Sequence, residues 1–289
     1  MNARALGRRG ALALMLGAGL AAAAGAGHAA PLGAVRAKGV LRVAVYRDFR
    51  PWSWRENGQL VGIDADLGRA LAEALGLRAD LWDFMADEEV GDDLRNTVWR
   101  GPLTGGQVAD VMLHAPYDLA FGRRHDRVAL VAPYCRESFL LACRPGGEAE
   151  CDALPTELAG KPIAVELDSL PDFYLSSQFG GVLRASVMRL PSGDQAARAV
   201  QEGRAEAVLA TRAQIEHASA TAGAPRLALR TRPLPAMPSQ GWDVGMAVRD
   251  DSRDLGDALE DATARLAASG QLDAIFARYG VRRVPPVQA

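Results

Sequence analysis

Cysteine and lysine are both scarce in this sequence of 289 residues. Lysine occurs only at Lys38 and Lys161, so arginine supplies nearly all of the positive charge, which we interpret as base composition and not as function. Acidic residues slightly outnumber basic ones, 35 to 33, and no segment forms a basic face. The charge pattern therefore gives no reason to expect a nucleic acid or an anionic membrane surface as partner.

Long apolar runs are also lacking, apart from one near the start of the chain. Residues 1–29 contain a basic start, an apolar run and a small-x-small site, which are the three parts of a secretory signal. These parts are Arg4, Arg8 and Arg9, then Ala11 to Ala24, then Gly27-His28-Ala29. We predict that residues 1–29 are a signal peptide and that the mature protein begins at or next to Ala30 in the periplasm. After cleavage we expect no membrane span; the alternative is an uncleaved anchor.

The motifs of several familiar enzyme classes are missing. The sequence has no Gly-x-Ser-x-Gly elbow for a nucleophilic serine, no His-Glu-x-x-His zinc pair and no phosphate-binding loop. The acidic run from Asp83 to Asp93 lacks the spacing of a calcium-binding EF-hand loop. We interpret that run as the solvated start of a helix, where acids lie near the positive helix end. We therefore expect no enzymatic activity, no cofactor and no metal site.

The three cysteines, Cys135, Cys143 and Cys151, lie close together in the sequence. An oxidising compartment favours a disulfide, and an odd number leaves one thiol unpaired. The spacing excludes no pairing. We predict a Cys143–Cys151 disulfide around the Pro145-Gly146-Gly147 turn, with Cys135 free and buried. Metal binding by these cysteines is the alternative, although no histidine lies near them in the sequence.

Short apolar strands alternate with amphipathic helices along the chain. Leu41 to Tyr46 has the alternation of a strand, and a helix with a buried stripe begins at Asp64 and ends at Gly76. Val108 to His114 is nearly all apolar inside, which is typical of a strand covered on both faces. The other predicted strands are 77–82, 139–142, 158–165, 207–210 and 244–248, and the other predicted helices are 92–100, 192–203, 255–266 and 272–279. This order predicts an α/β protein built from doubly wound sheets with flanking helices.

Six segments, taken in order, resemble the consensus of family 3 extracytoplasmic solute-binding proteins. They are Arg50-Pro51-Trp52-Ser53-Trp54, Leu60 to Ala70, Gly106 to Val111, Leu158 to Val165, Gln195 to Leu209 and Ser269 to Tyr279. The resemblance implies a two-lobed periplasmic binding protein (type II) fold with a ligand cleft between the lobes. It implies lobe 1 over residues 30–137, lobe 2 over residues 138–242 and a return to lobe 1 over residues 243–289.

The residues with which amino-acid-binding members hold a zwitterion are absent at the matching positions. Those members follow the third strand with a Thr-x-x-Arg whose guanidinium grips the ligand carboxylate in a bidentate pair. Here the strand runs into Ala115-Pro116-Tyr117-Asp118 instead. Thr211 replaces the acid that pairs with the ammonium, and Asp168-Ser169-Leu170-Pro171 replaces the Gly-Thr/Ser loop. We therefore expect free amino acids to bind more weakly than they bind an uptake receptor.

Two segments resemble a narrower group with the same fold, the MxaJ/XoxJ-type proteins associated with periplasmic quinoprotein (PQQ-dependent) alcohol (methanol) dehydrogenases. These segments are Asp92 to Gly101 and Ala109 to Asp118. The resemblance implies an accessory or maturation factor, monomeric alone, that binds the dehydrogenase or its cytochrome or maturation partners. The alternative is the substrate-binding component of an ABC transporter for a small, non-standard polar solute.

Residues expected near the cleft are candidates for contact with a ligand or a partner. His114 ends an apolar strand, and ligands of doubly wound sheets lie beyond the carboxyl ends of strands, although a structural role is the alternative. Trp52, Tyr117 and Tyr134 are candidate aromatic anchors, unless Trp52 fills the core of its lobe. The full set is Trp52, Asp64, His114, Tyr117, Asp118, Tyr134, Asp168, Ser169 and Thr211.

Overall fold

The computed structural model describes residues 31–103 and 105–287 of the chain. The predicted signal peptide, residues 1–29, lies outside the described residues. Within the described residues, no helix is both long enough and apolar enough to cross a membrane.

The described chain alternates between helices and strands. The helices are α1 (Leu32–Lys38), α2 (Ile63–Ala74), α3 (Val90–Leu94), α4 (Leu119–Arg124), α5 (Glu148–Asp152), α6 (Leu170–Ser177), α7 (Gly193–Gln201), α8 (Arg212–Ala220), α9 (Arg253–Ala268) and α10 (Gln271–Arg278). The strands are β1 (Val40–Tyr46), β2 (Trp54–Glu56), β3 (Gln59–Val61), β4 (Arg78–Phe84), β5 (Val111–Pro116), β6 (Val128–Glu137), β7 (Phe139–Cys143), β8 (Ile163–Glu166), β9 (Val187–Leu190), β10 (Ala207–Thr211), β11 (Ala228–Leu229) and β12 (Trp242–Arg249).

Two five-stranded sheets form the framework. The first has the order β4-β1-β5-β12-β6, and the second has the order β11-β7-β10-β8-β9. We call the first sheet with its helices lobe 1 and the second sheet with its helices lobe 2. The α/β class is therefore confirmed. Both sheets are mixed and not wholly parallel, because β12 runs antiparallel to β5 and β6, while β7 runs antiparallel to β10 and β11.

Two neighbouring strand segments connect the lobes. β6 of lobe 1 continues into β7 of lobe 2 through Ser138, and β12 returns beside it with Trp242 opposite Glu137. The rings of Trp242 and Phe139 pack with their centroids 4.8 Å apart. The lobes are thus joined at one side, which leaves a cleft between the carboxyl ends of their strands.

Helix α2 shows how the sequence builds the wall of lobe 1. Its buried stripe includes Leu67 and Leu71, which join the core formed with Val43 and Val45 of β1. Burying one leucine side chain stabilises a fold by about 1.5–3 kcal/mol. The helix follows Gly62, whose φ of 121° is in the region that favours glycine. A Cβ at this position would lie 2.3 Å from the Trp52 carbonyl oxygen, so only glycine fits there.

The predicted helix over residues 92–100 corresponds to a helical segment that is less regular than expected. Helix α3 covers Val90–Leu94, and Arg95–Trp99 then forms a π-helical turn. Ala109 donates from its backbone N–H to the Thr97 carbonyl oxygen at 2.7 Å, which ties this turn to the chain before β5. That contact is between distant segments, so helical periodicity could not reveal it.

Candidate ligand-binding cleft

A cavity of about 560 Å³ lies between the lobes, beside the strands that join them. Its walls come from the ends of β1, β5 and β8 and from the segments that follow β4 and β9. It is larger than the cavity next to Cys143, about 330 Å³, and the one next to Tyr117, about 290 Å³. Because ligands of open α/β sheets bind beyond the carboxyl ends of strands, this cavity is the candidate site.

Tyr46 and Asp93 form a hydrogen-bonded pair in the lobe 1 wall. The Tyr46 hydroxyl donates to Asp93 Oδ2 at 2.8 Å, and the backbone N–H of Asp87 donates to Asp93 Oδ1 at 2.8 Å. Burial is the main cause that raises the pKa of Tyr46, with the Asp93 charge adding to it. Burial likewise raises the pKa of Asp93. The neutral phenol therefore remains a donor, and its ring is held facing the cleft.

Three of the sequence candidates form one network behind that wall. Asp64 accepts a hydrogen bond from the Tyr134 hydroxyl at 2.7 Å, and its other oxygen lies 3.2 Å from His114 Nδ1. Asp64 and Tyr134 are fully buried, whereas His114 lines the cavity. Burial raises the pKa of Tyr134 well above its ordinary value. Of these three residues, only His114 is in a position to touch a ligand.

Trp52 lies in the core of lobe 1 and not on the cleft surface. Its side chain is 1% exposed and packs against the rings of His114, at 4.4 Å, and Phe276, at 5.8 Å. Of the two alternatives for Trp52, contact with a ligand in the cleft or a place in the core of its lobe, the structure shows the second. The cause is the loop before α2, where Trp52 donates its backbone N–H to Phe49 and accepts from Asp64. These bonds fold the loop inward over the helix start.

Glu166 faces the cleft from lobe 2. One carboxylate oxygen, Oε2, accepts a hydrogen bond from the backbone N–H of Gly193 at 3.0 Å and lies 3.5 Å from Gln214 Nε2. Burial raises the pKa of Glu166, while these two donors act in the opposite direction. A Cβ on Gly193 would lie 2.1 Å from Gln214 Oε1, so glycine is needed for this close contact.

The loop between β8 and α6 uses its polar groups internally. The Asp168 backbone N–H donates to Asp172 Oδ2 at 3.3 Å, and Asp172 also pairs with Arg189 Nε at 2.8 Å. Ser169 caps α6 by accepting from the Asp172 backbone, and its hydroxyl donates to the Glu166 carbonyl at 2.6 Å. Asp168 and Ser169 are not among the residues that line the cavity.

Thr211 caps the start of helix α8 and contacts the cleft only through another residue. Its hydroxyl accepts from the Gln214 backbone N–H at 3.4 Å and donates to Gln214 Oε1 at 3.0 Å. Gln214 in turn supports Glu166. Thr211 therefore positions a group that faces the cleft and is not itself a lining residue.

Tyr117 and Asp118 lie at a different cavity, on the outside of lobe 1. That cavity also includes Leu119, whose side chain is 70% exposed. Asp118 caps α4 by accepting from the Phe121 backbone N–H at 2.6 Å. Burial raises the pKa of Tyr117. The structure thus separates these two candidates from His114, although all three come from one short segment.

The predicted Cys143–Cys151 disulfide is not present in the structure. All three cysteines are buried free thiols. The Cys151 thiol is directed at backbone carbonyls, with Sγ 3.3 Å from the Ala228 oxygen and 3.6 Å from the Leu141 oxygen. A hydrogen bond from Cys151 lowers the pKa of the Cys143 thiol, and the same contact raises the pKa of Cys151. The two side chains are therefore neighbours without being bonded.

Sequence reasoning missed several residues of the cleft wall. These are Tyr46, Phe49, Asp93, Glu166 and Trp242. The rule that pointed to His114, a position at a strand end, applies equally to Tyr46 at the end of β1 and to Glu166 at the end of β8. No sequence signal placed Trp242 there, because its position depends on the pairing of β12 with β6.

No protein-family model and no curated protein sequence matches this chain. Solved structures do match it. The ancestral cationic amino acid solute binding protein AncCDT-1 superposes with a TM-score of 0.66 at 18% identity, over 86% of this chain and 99% of that chain. An amino acid ABC transporter substrate-binding protein from Streptococcus pneumoniae, bound to L-arginine, has a TM-score of 0.61 at 21% identity, over 86% and 97%.

A third structural neighbour is a sensor domain. A histidine kinase sensor domain with similarity to periplasmic binding proteins has a TM-score of 0.58 at 19% identity, over 86% of this chain and 98% of that chain. AncCDT-1 is itself described as a precursor of cyclohexadienyl dehydratase. The fold thus serves several functions in its neighbours. This chain has the two-lobed α/β fold of periplasmic binding proteins, as the resemblance in its sequence implied.

Proposed function

We propose that this chain is a periplasmic solute-binding protein that takes a small, non-standard polar solute into the cleft between its lobes. In this role it is the substrate-binding component of an ABC transporter. The observation that carries the proposal is the cavity of about 560 Å³, which is lined by strand ends of both lobes beside the strands that join them. This volume lies within the roughly 300–1,000 Å³ of typical small-molecule sites.

The proposal includes membership of solute-binding protein family 3, with lobe 1 formed by residues 30–137 and 243–289 and lobe 2 by residues 138–242. It also includes export guided by residues 1–29, and binding without catalysis. The six sequence segments and the structural neighbours that are amino-acid-binding proteins support it.

A variant that fills the cleft tests this function. Ala86 is exposed and lines the cavity, so Ala86→Trp would obstruct the cleft without disturbing the core. Ala264→Trp, at an exposed position of α9, is the matched control. We expect at least one compound in a panel of sugars, amines, organic acids and amino acids to raise the Tm of the wild type and the control but not of Ala86→Trp. Failure of the whole panel, or an equal response in Ala86→Trp, would contradict the proposal.

A second candidate is the accessory role for a quinoprotein alcohol dehydrogenase. The observation that favours it is the surface formed by Tyr117, Asp118 and the exposed Leu119. Tyr117 and Asp118 belong to the segment that resembles the dehydrogenase-associated group, and Leu119 directly follows it. Trp52 and Tyr134 are buried, so of the three candidate aromatic anchors only Tyr117 is available at the surface. If this role is correct, Leu119→Asp should abolish co-purification with the dehydrogenase, and gene deletion should lower PQQ-dependent alcohol oxidation without impairing solute uptake.

A further inference from the structure

The walls of the cleft favour positive charge. We infer that its ligand is an organic cation without a carboxylate, such as an alkyl amine, an alkyl guanidine or a quaternary ammonium compound. This inference rests on the proposed solute-binding function and specifies the chemical class of the solute. Three features carry it: aromatic rings in the walls, an excess of carboxylates, and the internal use of the donors that would hold an anion.

Aromatic rings line the cleft from two directions. Tyr46 and Phe49 come from the end of β1 and the loop after it, with ring centroids 5.9 Å apart in an edge-to-face arrangement. Trp242 comes from the returning strand and is held by the Phe139 ring at 4.8 Å. The faces of such rings attract ammonium and guanidinium groups, which also pack well against their apolar surfaces.

Carboxylates dominate the charge of the walls. Those that line the cavity are Asp48, Asp87, Glu88, Asp93 and Glu166. Arg47 supplies the guanidinium among the lining residues, and its Nε is bound to Asp83 Oδ2 at 3.0 Å. Asp93 and Glu166 have no cationic partner among the residues that the structure describes. A ligand cation would therefore supply a charge that the walls lack.

The hydrogen-bond donors that could hold a ligand anion, a guanidinium and two backbone amides, already bind carboxylates of the chain. Asp83 holds the Arg47 guanidinium, Glu166 accepts from the Gly193 amide at the start of α7, and Asp172 accepts from the Asp168 amide. A ligand carboxylate would have to displace these groups and would also meet the charges of Asp93 and Glu166. Among the described residues that line the cavity, groups suited to a cation therefore outnumber those suited to a carboxylate.

The carboxylates lie on both lobes, so a bound cation would favour closure of the cleft. Asp93 is 2% exposed and acts from behind Tyr46, whereas Glu166 is partly exposed on lobe 2. A cation stacked on the lobe 1 rings would attract the Glu166 carboxylate across the cleft. Ligand binding would then favour the conformation in which the lobes are closer together.

Matched ligand pairs test the inference by calorimetry on the mature chain. Agmatine and L-arginine share a guanidinium group and differ by the α-carboxylate. Cadaverine and L-lysine share an ammonium group and also differ by the α-carboxylate. We expect the carboxylate-free member of at least one pair to bind at least tenfold more tightly, equal to about 1.4 kcal/mol. Equal affinities, or tighter binding of the amino acids, would overturn the inference.

Two variants and one control localise the effect. Glu166→Gln should weaken binding of the amine at least tenfold, whereas Glu202→Gln, which removes an exposed lobe 2 carboxylate paired with Arg204, should leave it unchanged. Phe49→Leu, which removes an aromatic ring, should also weaken it. Selective binding of a neutral or anionic solute, lost in Ala86→Trp, would overturn the cation inference while supporting the proposed function. Binding of nothing by the wild type would contradict both.

Discussion

Glu166 accepts a hydrogen bond from the backbone N–H of Gly193 at 3.0 Å, so a carboxylate of the chain itself occupies the start of α7. The N-terminus of a helix is otherwise a favourable place for a ligand anion. In this chain the Glu166 carboxylate occupies that position, and the same carboxylate faces the cleft. This contact explains why the cleft should select against carboxylates and in favour of cations.

Replacing Gly193 should disturb this arrangement. In Gly193→Ala the new Cβ would lie 2.1 Å from Gln214 Oε1, so the glutamine amide must move away from Glu166. We expect a loss of about 1–3 kcal/mol in the free energy of unfolding, as for other overpacked sites. Gly33→Ala is the control, because a Cβ at that position of α1 meets nothing within 4 Å. Urea denaturation of both variants measures the difference, and equal stabilities would contradict the structure.

The Tyr134 hydroxyl should matter for stability more than an ordinary buried hydroxyl. Tyr134→Phe leaves buried Asp64 Oδ1 without its 2.7 Å donor, which should cost about 1.5–3 kcal/mol because the acceptor is a carboxylate. In Tyr174→Phe the lost partner is only the Pro235 carbonyl, so the cost should be about 0.5–1.5 kcal/mol. Thermal unfolding compares the two variants. A smaller loss for Tyr134→Phe than for Tyr174→Phe would argue against the network.

Glu137, at the strand that joins the lobes, should make stability depend on pH. Burial raises its pKa to about 7, against the opposing effects of Arg212 and of the Ser138 and Ala213 amides. An unfolded glutamate has a pKa of about 4.3. Between these values only the folded chain holds the proton, so the stabilisation is complete below about pH 4.3 and is lost as pH rises through 7.

The variant Glu137→Gln isolates this effect. We expect the wild type to lose free energy of unfolding relative to the variant between pH 5 and pH 8, by at most about 3 kcal/mol. The difference between the two proteins is the useful quantity, because burial also raises the pKa values of Asp93 and Glu166, whose contributions are the same in both proteins. Parallel curves of stability against pH would show that Glu137 is not responsible.

Ligand affinity should also fall in acid. Burial raises the pKa of Glu166, so this carboxylate takes up a proton at a higher pH than an exposed glutamate does. As pH falls from 7.5 to 5, a cationic ligand would therefore lose more of its partner's charge than it would beside an exposed glutamate. Asp93, whose pKa burial also raises, lines the same cavity and contributes to the change, and the side chains of Asp87 and His114 lie in the same walls. Titration of agmatine at both pH values should therefore show a steeper fall for the wild type than for Glu166→Gln, and equal slopes would count against a direct role.

The sequence predicted the elements of the fold more fully than their arrangement. The strand from Leu41 to Tyr46 and the helix start at Ser192 have close counterparts in the structure, because hydrophobic spacing and capping are local signals. The mixed direction of the sheets was not predicted. It depends on the route of β7 and β12 between the lobes, and no local pattern encodes that route.

The candidate site was harder to predict than the fold. Trp52 and His114 are close in the structure, with ring centroids 4.4 Å apart, yet only His114 lines the cleft. Which face of the loop points inward is decided by backbone hydrogen bonds of Trp52 with Phe49 and Asp64, which the hydrophobic spacing does not encode. Glu166 was not predicted, although it lies at the end of β8 and so occupies the same kind of strand-end position as His114.

A crystal structure of the mature protein grown with the tighter-binding carboxylate-free compound, agmatine or cadaverine, at saturating concentration tests the central claim most directly. The account predicts electron density for the compound between the rings of Tyr46, Phe49 and Trp242, with a cationic group of the compound next to the Glu166 carboxylate. An empty cleft, or the compound bound only on the outer surface near Tyr117, would contradict the account.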